Sequence, residues 1–581
     1  MDKHAIAMVL EEIATLLEAS GDNRFKARAF RTAARALEKD GREPRSLMAS
    51  GELRAVPGIG PATARIIEEL IVTGESGYHL DLRERAPSGM RELLRVTGLG
   101  PKKIAQLYDE LGVTDLDTLE AAARSGRIAG VRGFGERTQQ RILEGMTFAR
   151  GLAGRRPYHQ AEEAALRLAG FLDALDEVER TFIAGELRRG HEIVDAIALV
   201  TVVSGAPGRV AKRIRTTSGL TWHEGDDRLV RGRFGDGLGV QVCLATRADL
   251  GAALLHMTGS GAHIEALARV ASERGLVLTP TGLRDGDTIL RAADEDALYD
   301  ALELQTVPPE LRETGAEVTL ARDRRLPRLV ELADLRGCFH CHTTHSDGKA
   351  GVAEMAEGAI ALGWRYLGIA DHSQNAGYAG GLSPAQITRQ QREIDAWNRR
   401  RGGELRLFKG IEADILADGR LDYSDNPGVL ESFDYVIGSV HSLFRMERAA
   451  MTQRMSRAVS DPRLTMLGHA RGRLLLIRDG YAVDIEAVIE SAAAAGAAIE
   501  INADPYRLDM SWQHWPEARA RGVRTAINPD AHSVNGMRAV RFGVNIARKA
   551  WLTTTDVINA WPLEDVEEYL DARKRSRGEA N

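Results

Sequence analysis

The feature that most constrains the fold of this chain is a series of short apolar runs in the C-terminal half, each ending in histidine or carboxylate residues. The runs stand in CFHCHTTHSDG, YLGIADHS, LFKGIEADI, YVIGSVHS, LTMLGHARGR and TAINPDAHS, and helix-like segments such as DIEAVIESAAAAGA alternate with them. Repeated strand–helix units predict a parallel barrel with these polar residues gathered at one mouth. They are His340, His342, Asp347, His372, Glu412, His441, His469, Asp530 and His532.

All nine residues are of metal-ligand type. His340 and His342 are two apart on a predicted strand, so both imidazoles face the same side, and Asp530 and His532 repeat that spacing. Mixed histidine and carboxylate ligands suit Zn²⁺ or Mn²⁺. A single histidine is more often structural, but nine ligand types in this pattern predict a metal centre. The nearby Cys338 and Cys341 are predicted to point to opposite faces of the strand and to form no zinc pair.

Length and composition place this barrel within a larger protein. The chain has 581 residues, too many for one core, while 44% hydrophobic and 28% charged residues are typical of a globular protein. The first twenty residues mix acids into an apolar pattern and lack a basic, cleavable leader, so we expect a cytoplasmic protein without a membrane partner. Three cysteines exclude a disulfide framework.

The N-terminal third repeats a pattern of apolar residue, x, Gly, apolar residue, Gly, then a helix, in AVPGIGPATARIIEEL, RVTGLGPKKIAQLYDEL and GVRGFGERTQQRILEGM. Glycines at such a turn let backbone N–H groups at a helix N-terminus approach a phosphate, which binds DNA without reading its sequence. An all-helical interaction domain is the alternative. The predicted DNA-binding residues are Gly58, Gly60, Gly98, Gly100, Lys102, Lys103, Gly133 and Gly135.

These segments resemble helix-hairpin-helix motifs, and with the basic helix NRFKARAFRTAARALE their order resembles the start of a bacterial family X DNA polymerase, which is similar to DNA polymerase beta. The resemblance implies a lyase-like helical domain over 1–80 and a fingers-type helical domain with two further hairpins over 81–155. The family's Schiff-base lysine position aligns with Ile66, which has no amine, so lyase activity by that route is not predicted.

The segment IAGELRRGHEIVDAIALV resembles the family's nucleotidyltransferase palm, expected over 156–250 and followed by a thumb over 251–315. The palm holds two metal ions on carboxylates for nucleotide transfer. The sequence departs from that pattern, so we predict a palm without polymerase activity, which would take Mg²⁺ or Mn²⁺ only if it were active. The aligned carboxylate positions are Ala196, Ala198 and Cys243, Glu186 replaces the triphosphate-binding serine, and Arg188 and Arg189 are retained.

After a predicted linker over 316–335, residues 336–575 resemble the polymerase and histidinol phosphatase (PHP) family, whose fold is a distorted seven-stranded barrel. The resemblance implies three divalent metals: one on His340, His342, Glu412 and Asp530, a second on Glu412, His441 and His469, and a third on Asp347, His372 and His532. Asp371 is a candidate proton acceptor. Arg507, Arg471 and Arg473 are candidate phosphate ligands, and surface or strand-end salt bridges are the alternative for all three.

The expected fold class is therefore multidomain α and α/β. The expected function is that of a DNA repair protein whose PHP domain is a metal-dependent 3'-5' exonuclease on DNA ends, working as a nucleoid-associated monomer. Three alternatives remain: a gap-filling DNA polymerase with a PHP exonuclease, a non-catalytic DNA-binding scaffold, and a small-molecule phosphatase of the histidinol phosphate kind.

Overall fold

The computed structural model describes residues 3–19, 24–40, 42–73, 76–79, 82, 93, 96, 99, 101–152, 154–216, 220–223, 225–235 and 237–579. The chain forms two compact units, Met1–Ala153 and Gly154–Asn581. Among the described residues no helix is long and apolar enough to cross a membrane.

The first unit is helical. Apolar residues three or four apart, such as Ile6, Leu10 and Ile13, are buried on one face of its first helix. Buried side chains form two separate clusters, one within residues 6–82 and one within 93–146. The described helices are Lys3–Ala19, Arg24–Lys39, Pro44–Ala49, Pro61–Thr73, Pro101–Leu111, Leu116–Arg124 and Glu136–Leu152, with 3₁₀ turns at Leu53–Ala55 and Ile128–Gly130.

The second unit begins with a small two-stranded ladder and a five-stranded sheet. Their strands are β1 Arg156–Pro157, β2 Val178–Ala184, β3 Ile193–Val194, β4 Ala196–Val203, β5 Leu220–Trp222, β6 Leu229–Phe234 and β7 Gly239–Ala245. The ladder pairs β1 with β3, and the sheet order is β2-β4-β7-β6-β5, with β4 and β7 parallel. The helices of this region are Tyr158–Asp173, Gly185–Arg188, Pro207–Arg215 and Leu250–Thr258.

A second small region follows, with the antiparallel strands β8 Val277–Thr279, β9 Gly282–Asp285 and β10 Thr288–Leu290 and the helices Gly261–Glu273, Asp296–Ala301 and Ala316–Arg322. Its last helix lies inside the predicted linker. Val318 and Ala321 of that helix are buried in the same core as Leu267. The first part of the linker segment therefore packs as part of the predicted thumb.

Seven parallel strands in sequential order make up the C-terminal sheet. They are β11 Gly337–Cys338, β12 Tyr366–Ile369, β13 Arg406–Asp414, β14 Tyr435–Ser439, β15 Met466–Leu467, β16 Ala498–Asn502 and β17 Thr525–Asn528. The segments after the first and last strands pair, since His342 N donates to Ala531 O at 2.9 Å and Ala531 N to His340 O at 3.2 Å. The sheet is therefore a nearly closed barrel. The multidomain α and α/β fold class predicted from the sequence is confirmed.

The barrel strands are buried on both sides, which explains their continuous apolar runs. Tyr366, Phe408 and Tyr435 belong to an inner cluster that includes Leu570 of the last helix. Other strand residues, such as Leu367, pack against the surrounding helices. Those helices are Val352–Ala361, Pro384–Arg401, Arg448–Val459, Ile485–Ala495, Trp515–Ala520, Val540–Lys549 and Leu563–Glu579.

The prediction that Cys338 and Cys341 point to opposite faces is wrong. Strand β11 ends at Cys338 and the chain bends at Phe339, so strict alternation stops there. The two buried sulfur atoms lie 3.4 Å apart. The bend places both thiols on the same side of the segment that carries His340.

Candidate metal centre

The nine predicted ligands lie at the carboxyl-terminal ends of six of the seven barrel strands. His340 and His342 follow β11, and Asp347 lies in the loop after them. The next four ligands come from β12 to β15 in order: His372, Glu412, His441 and His469. Asp530 and His532 follow β17. Because parallel strands end at the same mouth, ligands nearly 200 residues apart converge.

Glu412 lies at the centre of these ligands. Its Oε1 is 3.1 Å from His469 Nε2 and 3.3 Å from the Nε2 atoms of His340 and His441. Its Oε2 is 2.8 Å from His372 Nδ1. One carboxylate thus reaches histidines from four other strands, as a ligand shared between metal ions must.

The remaining ligands lie beside this group. Asp530 Oδ1 is 3.2 Å from His342 Nε2, and Asp347 Oδ1 is 3.2 Å from His532 Nε2. Three sets have ligand atoms within 4.8 Å of one another: His342, Asp347, His372 and His532; His340, His342 and Glu412; and His372, Glu412 and His441. His342 and His372 each belong to two sets, whereas the resemblance assigned each to one metal.

The donors fit divalent metal ions. Among the described residues, no hydrogen bond of good geometry reaches the buried atoms His340 Nε2 and Glu412 Oε2, although imidazole and carboxylate atoms lie 2.8–3.3 Å from them. A buried polar atom without a partner costs about 1–3 kcal/mol, and coordination of Zn²⁺ or Mn²⁺ would remove that cost. The donor set, histidine nitrogens with carboxylate oxygens, is the one these ions take in proteins.

The electrostatics of the cluster are those of closely packed opposite charges. Burial by itself would raise the pKa of the Glu412 carboxyl, but His441, His340 and His372 hold that pKa well below its usual range. Burial would lower the pKa of His441, yet Glu412 and Asp414 raise it to about 10. Burial and the neighbouring histidines lower the pKa of His342 to about 3. The metal-free cluster is therefore part imidazolium and part neutral imidazole.

Two acidic residues behind the ligands were not predicted from the sequence. Glu500 Oε1 lies 2.7 Å from His340 Nδ1, and its Oε2 accepts a hydrogen bond from His469 N at 2.9 Å. Asp414 Oδ1 lies 2.7 Å from His441 Nδ1. Carboxylates in this position orient a ligating imidazole and fix its tautomer. A lone acid inside a buried strand, as in AIEIN and GIEAD, is the sequence signal that could have identified them.

Asp371 is fully buried next to His372. It accepts hydrogen bonds from Thr343 N at 2.7 Å and Thr343 Oγ1 at 2.6 Å, and also from Ser346 and Gln390. Burial raises the pKa of its carboxyl, against the effect of these donors. The contacts anchor the turn that leads to Asp347. The role of Asp371 as a proton acceptor stays a prediction.

The structure separates the three candidate phosphate-binding arginines. Arg507 lies at the cluster of candidate metal ligands, with its Nε 3.8 Å from Asp530 Oδ2. Arg471 Nη1 is 3.5 Å from His514 Nε2. Arg473 donates to Arg507 O at 3.0 Å and pairs with Glu192 at 3.0 Å. Arg507 is therefore the one of the three that this geometry brings beside a predicted metal ligand.

The predicted palm site has no carboxylate at the aligned positions. Ala198 on β4 pairs in register with Gln241 on β7, while Cys243 pairs with Val200 further along. Gln241, rather than Cys243, thus lies directly across from Ala198. Ala198 and Cys243 pack in an apolar cluster with Leu254, and burial raises the pKa of the Cys243 thiol to about 11. Ala196 begins β4 and is partly exposed.

The charged residues of the palm motif are occupied by protein partners. Glu186 accepts hydrogen bonds from the backbone N–H groups of Asp195, at 2.6 Å, and Ala196. Arg188 pairs with Glu295 at 2.5 Å, and Arg189 pairs with Glu313 at 2.9 Å. Asp195 itself pairs with Arg155 at 2.7 Å.

Two of the predicted hairpins show the same turn. Gly58 and Gly133 have positive φ angles of 100° and 86°. Ile59 N donates to Val56 O at 3.0 Å, and Phe134 N to Val131 O at 2.9 Å. In the remaining segment Leu99 N donates to Val96 O at 3.0 Å, which is the equivalent bond. All three segments therefore share this backbone hydrogen bond of the turn.

The other predicted DNA-binding residues differ in what the structure describes. A Cβ added at Gly60 or Gly135 would meet no atom within 4 Å, so packing within the protein does not require glycine at these helix starts. Lys103 Nζ lies 5.3 Å from the centre of the Phe134 ring. Gly98, Gly100 and the side chain of Lys102 lie outside the described residues.

The barrel and its mouth define a class of metal-dependent phosphoesterase. The PHP domain family model matches residues 339–504, within the barrel. A helix-hairpin-helix domain model matches residues 1–76, a SAM-like helix-hairpin-helix tandem matches 90–146, and a DNA polymerase beta thumb matches 253–313.

Over 579 residues the chain is 36% identical to "DNA polymerase/3'-5' exonuclease PolX" of Bacillus subtilis, covering 98% of this chain and 99% of that protein. The chain therefore belongs to the bacterial family X DNA polymerases that carry a C-terminal PHP domain. It is also 28% identical over 190 residues to a "Probable phosphatase" of Caldanaerobacter subterraneus, covering 30% of this chain and 70% of that protein.

Proposed function

We propose that this protein is a metal-dependent 3'-5' exonuclease on DNA ends and that its palm does not polymerise DNA. The observation that carries the proposal is the contrast between two sites. The barrel mouth brings together nine candidate ligand side chains, with Glu412 at their centre, whereas the palm has Ala196, Ala198 and Gln241 on one face of two neighbouring strands.

Three divalent ions, Zn²⁺ or Mn²⁺, fit the barrel mouth. The ligand atoms fall into three overlapping sets, and Glu412 reaches histidines on several strands. When bound, such ions supply Lewis-acid activation of water and neutralise phosphate oxygens. The chain's own residues do the rest: Glu500 and Asp414 hold the imidazoles of His340 and His441, and Arg507 offers two N–H donors to a nonbridging phosphate oxygen pair.

The N-terminal unit supplies the reason to choose DNA as substrate. At Gly60 and Gly135 a helix begins with open space where a side chain would be, so a phosphate can approach the backbone N–H groups. Contacts of this type hold the sugar-phosphate backbone without sequence preference. A relative that spans the whole chain is named as an exonuclease as well as a polymerase.

The palm lacks what nucleotide transfer requires. Two metal ions must be held by carboxylates, and alanine, glutamine and thiol side chains do not provide them. Arg188 and Arg189, the retained arginines of the motif, are neutralised by Glu295 and Glu313. Glu186 adds negative charge where a triphosphate would lie.

The test uses the purified protein with Mn²⁺ and a gapped DNA labelled at its 5' end, with and without nucleotides. We expect the labelled strand to shorten from its 3' end whether or not nucleotides are present. His342→Ala should abolish shortening. His345→Ala is the matched control, because His345 lies three residues away and contacts Glu393 rather than the cluster.

The other outcomes separate the alternatives. Nucleotide-dependent extension of the primer would show an active palm. Retarded DNA in a gel without any change in length would favour a binding scaffold. Hydrolysis of histidinol phosphate with no action on DNA would favour the small-molecule phosphatase.

A further inference from the structure

The loop between β16 and the 3₁₀ turn Trp512–His514 brings Arg507 to the metal cluster. Within the barrel it is held at its base, where Asn502 and Asp509 exchange backbone hydrogen bonds of 2.5 and 3.1 Å. The Asp509 carboxylate accepts from Arg471 N at 3.0 Å. The position of Arg507 therefore depends on how this loop, residues 503–511, is fastened.

Arg473 fastens the middle of the loop. Its Nε donates to the carbonyl oxygen of Arg507 at 3.0 Å, and its Nη2 donates to the carbonyl oxygen of Leu508. Arg473 belongs to the neighbouring segment that starts at the ligand His469. Through these two hydrogen bonds the Arg473 guanidinium supports the backbone at Arg507 and Leu508.

The other contact of the Arg473 guanidinium is with a residue of the palm rather than of the barrel. Arg473 Nη1 lies 3.0 Å from Glu192 Oε2, and Glu192 is buried, with 9% of its surface exposed. Glu192 Oε1 also accepts from Trp512 N at 3.0 Å, and its Oε2 from Ser511 Oγ at 3.4 Å. The palm carboxylate of Glu192 therefore contacts both the end of the loop, at Ser511 and Trp512, and Arg473, which supports the middle of the loop.

A second palm residue contacts the same loop. The ring of His159 lies edge-on to the ring of Tyr506, with centroids 4.6 Å apart. Tyr506 immediately precedes Arg507. The palm therefore touches the loop on both sides of the arginine.

We propose that Glu192 of the palm is a positioning residue for the phosphoesterase site, acting through Arg473 and the loop 503–511 to hold Arg507 beside the metal cluster. The palm then serves the barrel as a fixed support. This inference rests on the proposed function for its kinetic test, because Arg507 is taken as the ligand of the scissile phosphate.

The energetic reason is the burial of the pair. When a buried salt bridge loses one partner, the other is left as an uncompensated charge in the protein interior, and this destabilises the surrounding structure. Loss of Glu192 leaves Arg473 buried without its anion and leaves the Trp512 amide without its acceptor. Both effects act on the loop that carries Arg507.

The test compares Glu192→Ala with Glu162→Ala. Glu162 pairs with Arg541 at 2.7 Å, so it joins the same palm and barrel but does not contact the loop. With Mn²⁺ and a 3'-terminal DNA substrate, we expect Glu192→Ala to raise KM by about tenfold while kcat changes by less than about twofold. Glu162→Ala should leave both constants unchanged.

A double-mutant cycle with Arg507→Ala separates positioning from general destabilisation. If Glu192 acts through Arg507, Glu192→Ala has no further effect on KM in the Arg507→Ala background. Equal effects in both backgrounds would overturn the proposal, as would an equal effect of Glu162→Ala.

Hydrogen–deuterium exchange of the metal-free protein gives a readout independent of activity. Glu192→Ala should speed exchange over residues 504–512, including the Trp512 amide, and Glu192→Gln, which keeps an acceptor for that amide, should speed it less. Unchanged exchange in Glu192→Ala would contradict the proposal even if KM rose. If the wild-type protein did not hydrolyse DNA, the proposed function would fail, and the exchange data would still decide whether Glu192 holds the loop.

Discussion

The palm and the barrel mouth of this protein use the same local device to opposite effect. In both, two residues of the motif lie two apart: Ala196 and Ala198 on β4 in the palm, and His340 and His342 on either side of the bridge residue Cys341 just after β11 in the barrel. The palm positions are small and apolar, and Ala198 is packed against Gly185 and Leu254. The barrel positions are ligands arranged around Glu412.

Under the proposed function, the palm keeps its fold without a working nucleotidyltransferase site, and we propose that this fold now supports the barrel. The palm sheet, its helices and the paired Arg188 and Arg189 are all present, yet their charges are satisfied inside the protein. The barrel mouth differs, because its buried histidine and carboxylate groups face one another. Two of their atoms, His340 Nε2 and Glu412 Oε2, receive no hydrogen bond of good geometry. Under the proposed function, phosphoryl chemistry therefore belongs to the barrel.

The strongest way to break this comparison is to remove the central carboxylate of the barrel. Glu412→Gln keeps the shape of the side chain but leaves one oxygen, instead of two, that can bind a metal ion. It also removes the negative charge that the surrounding histidines share. We expect the rate of 3' shortening to fall by about 10³-fold or more. Glu490→Gln, on the exposed side of the helix Ile485–Ala495, is the matched control and should be silent. A Glu412→Gln protein that still shortens DNA at the normal rate would move the chemistry elsewhere.

The pH dependence of metal binding follows from the raised histidine pKa values. In the metal-free cluster the pKa of His441 is about 10 and that of His532 about 9, after carboxylates outweigh burial. Both histidines hold protons below those values, and a metal must displace them. At a site that contains one of these histidines, metal affinity is therefore lost as pH falls and rises by about 100-fold between pH 6 and pH 8, tenfold per pH unit for the one proton released. Calorimetric titration with Mn²⁺ measures it, and a flat profile would mean that ligation releases no protons.

A subtler change tests whether the barrel depends on residues behind its ligands. Glu500→Gln removes the charge that faces His340 Nδ1 at 2.7 Å. We expect metal affinity to fall about tenfold to a hundredfold. Metal content after dialysis, measured by elemental analysis, checks this. Glu490→Gln again serves as the control, and equal metal content in the two variants would refute a role for Glu500.

The palm side of the comparison can be tested with a carboxylate. Ala198→Asp places a charge in the apolar cluster beside Gly185, where even a methyl group added at Gly185 would lie 2.7 Å from Ala198 Cβ. We expect a loss of about 2 kcal/mol in the free energy of unfolding and no nucleotide-dependent extension. Chemical denaturation measures the first and primer extension the second. Stabilisation of the variant by Mn²⁺ beyond that of the wild-type protein, whose barrel also binds the ion, would instead reveal a latent palm site.

The smallest expected effect concerns the hairpins. Gly135→Ala meets no atom within 4 Å, so stability should not change, but its Cβ would stand where a phosphate approaches the helix N-terminus. We expect the Kd for gapped DNA to rise about threefold to tenfold. Gly130→Ala, equally open but outside the glycine pair, is the control. Equal Kd values for the two variants would argue against phosphate binding at this hairpin.

Much of the barrel site could be predicted because its signals are local. The candidate ligands lie at the ends of apolar strands, and parallel strands end at one mouth, so the strand pattern predicts that residues as distant as His372 and His469 both come beside Glu412. The same reasoning failed at Cys338 and Cys341, because a bend at Phe339 interrupts the alternation on which it rests. It also missed Glu500 and Asp414, whose partners lie on other strands.

The palm shows the same limit. The loss of carboxylates was visible at Ala196 and Ala198, but the residue across from Ala198 is set by strand register and proved to be Gln241. Register depends on pairing between strands about forty residues apart, and a shift of two residues leaves the side-chain pattern unchanged.

By itself, the sequence determined the division into helical, palm-like and barrel regions, the nine candidate metal ligands and the absence of carboxylates at the aligned palm positions, because residue type and periodicity are properties of short segments. Only the tertiary structure decided that Arg507 lies at the cluster while Arg473 lies beneath its loop, that Glu313 and Glu295 neutralise the palm arginines, and that Glu192 reaches Arg473 and Trp512. Those contacts join residues between 23 and 320 positions apart. They arise from how folded elements dock, which no local pattern encodes.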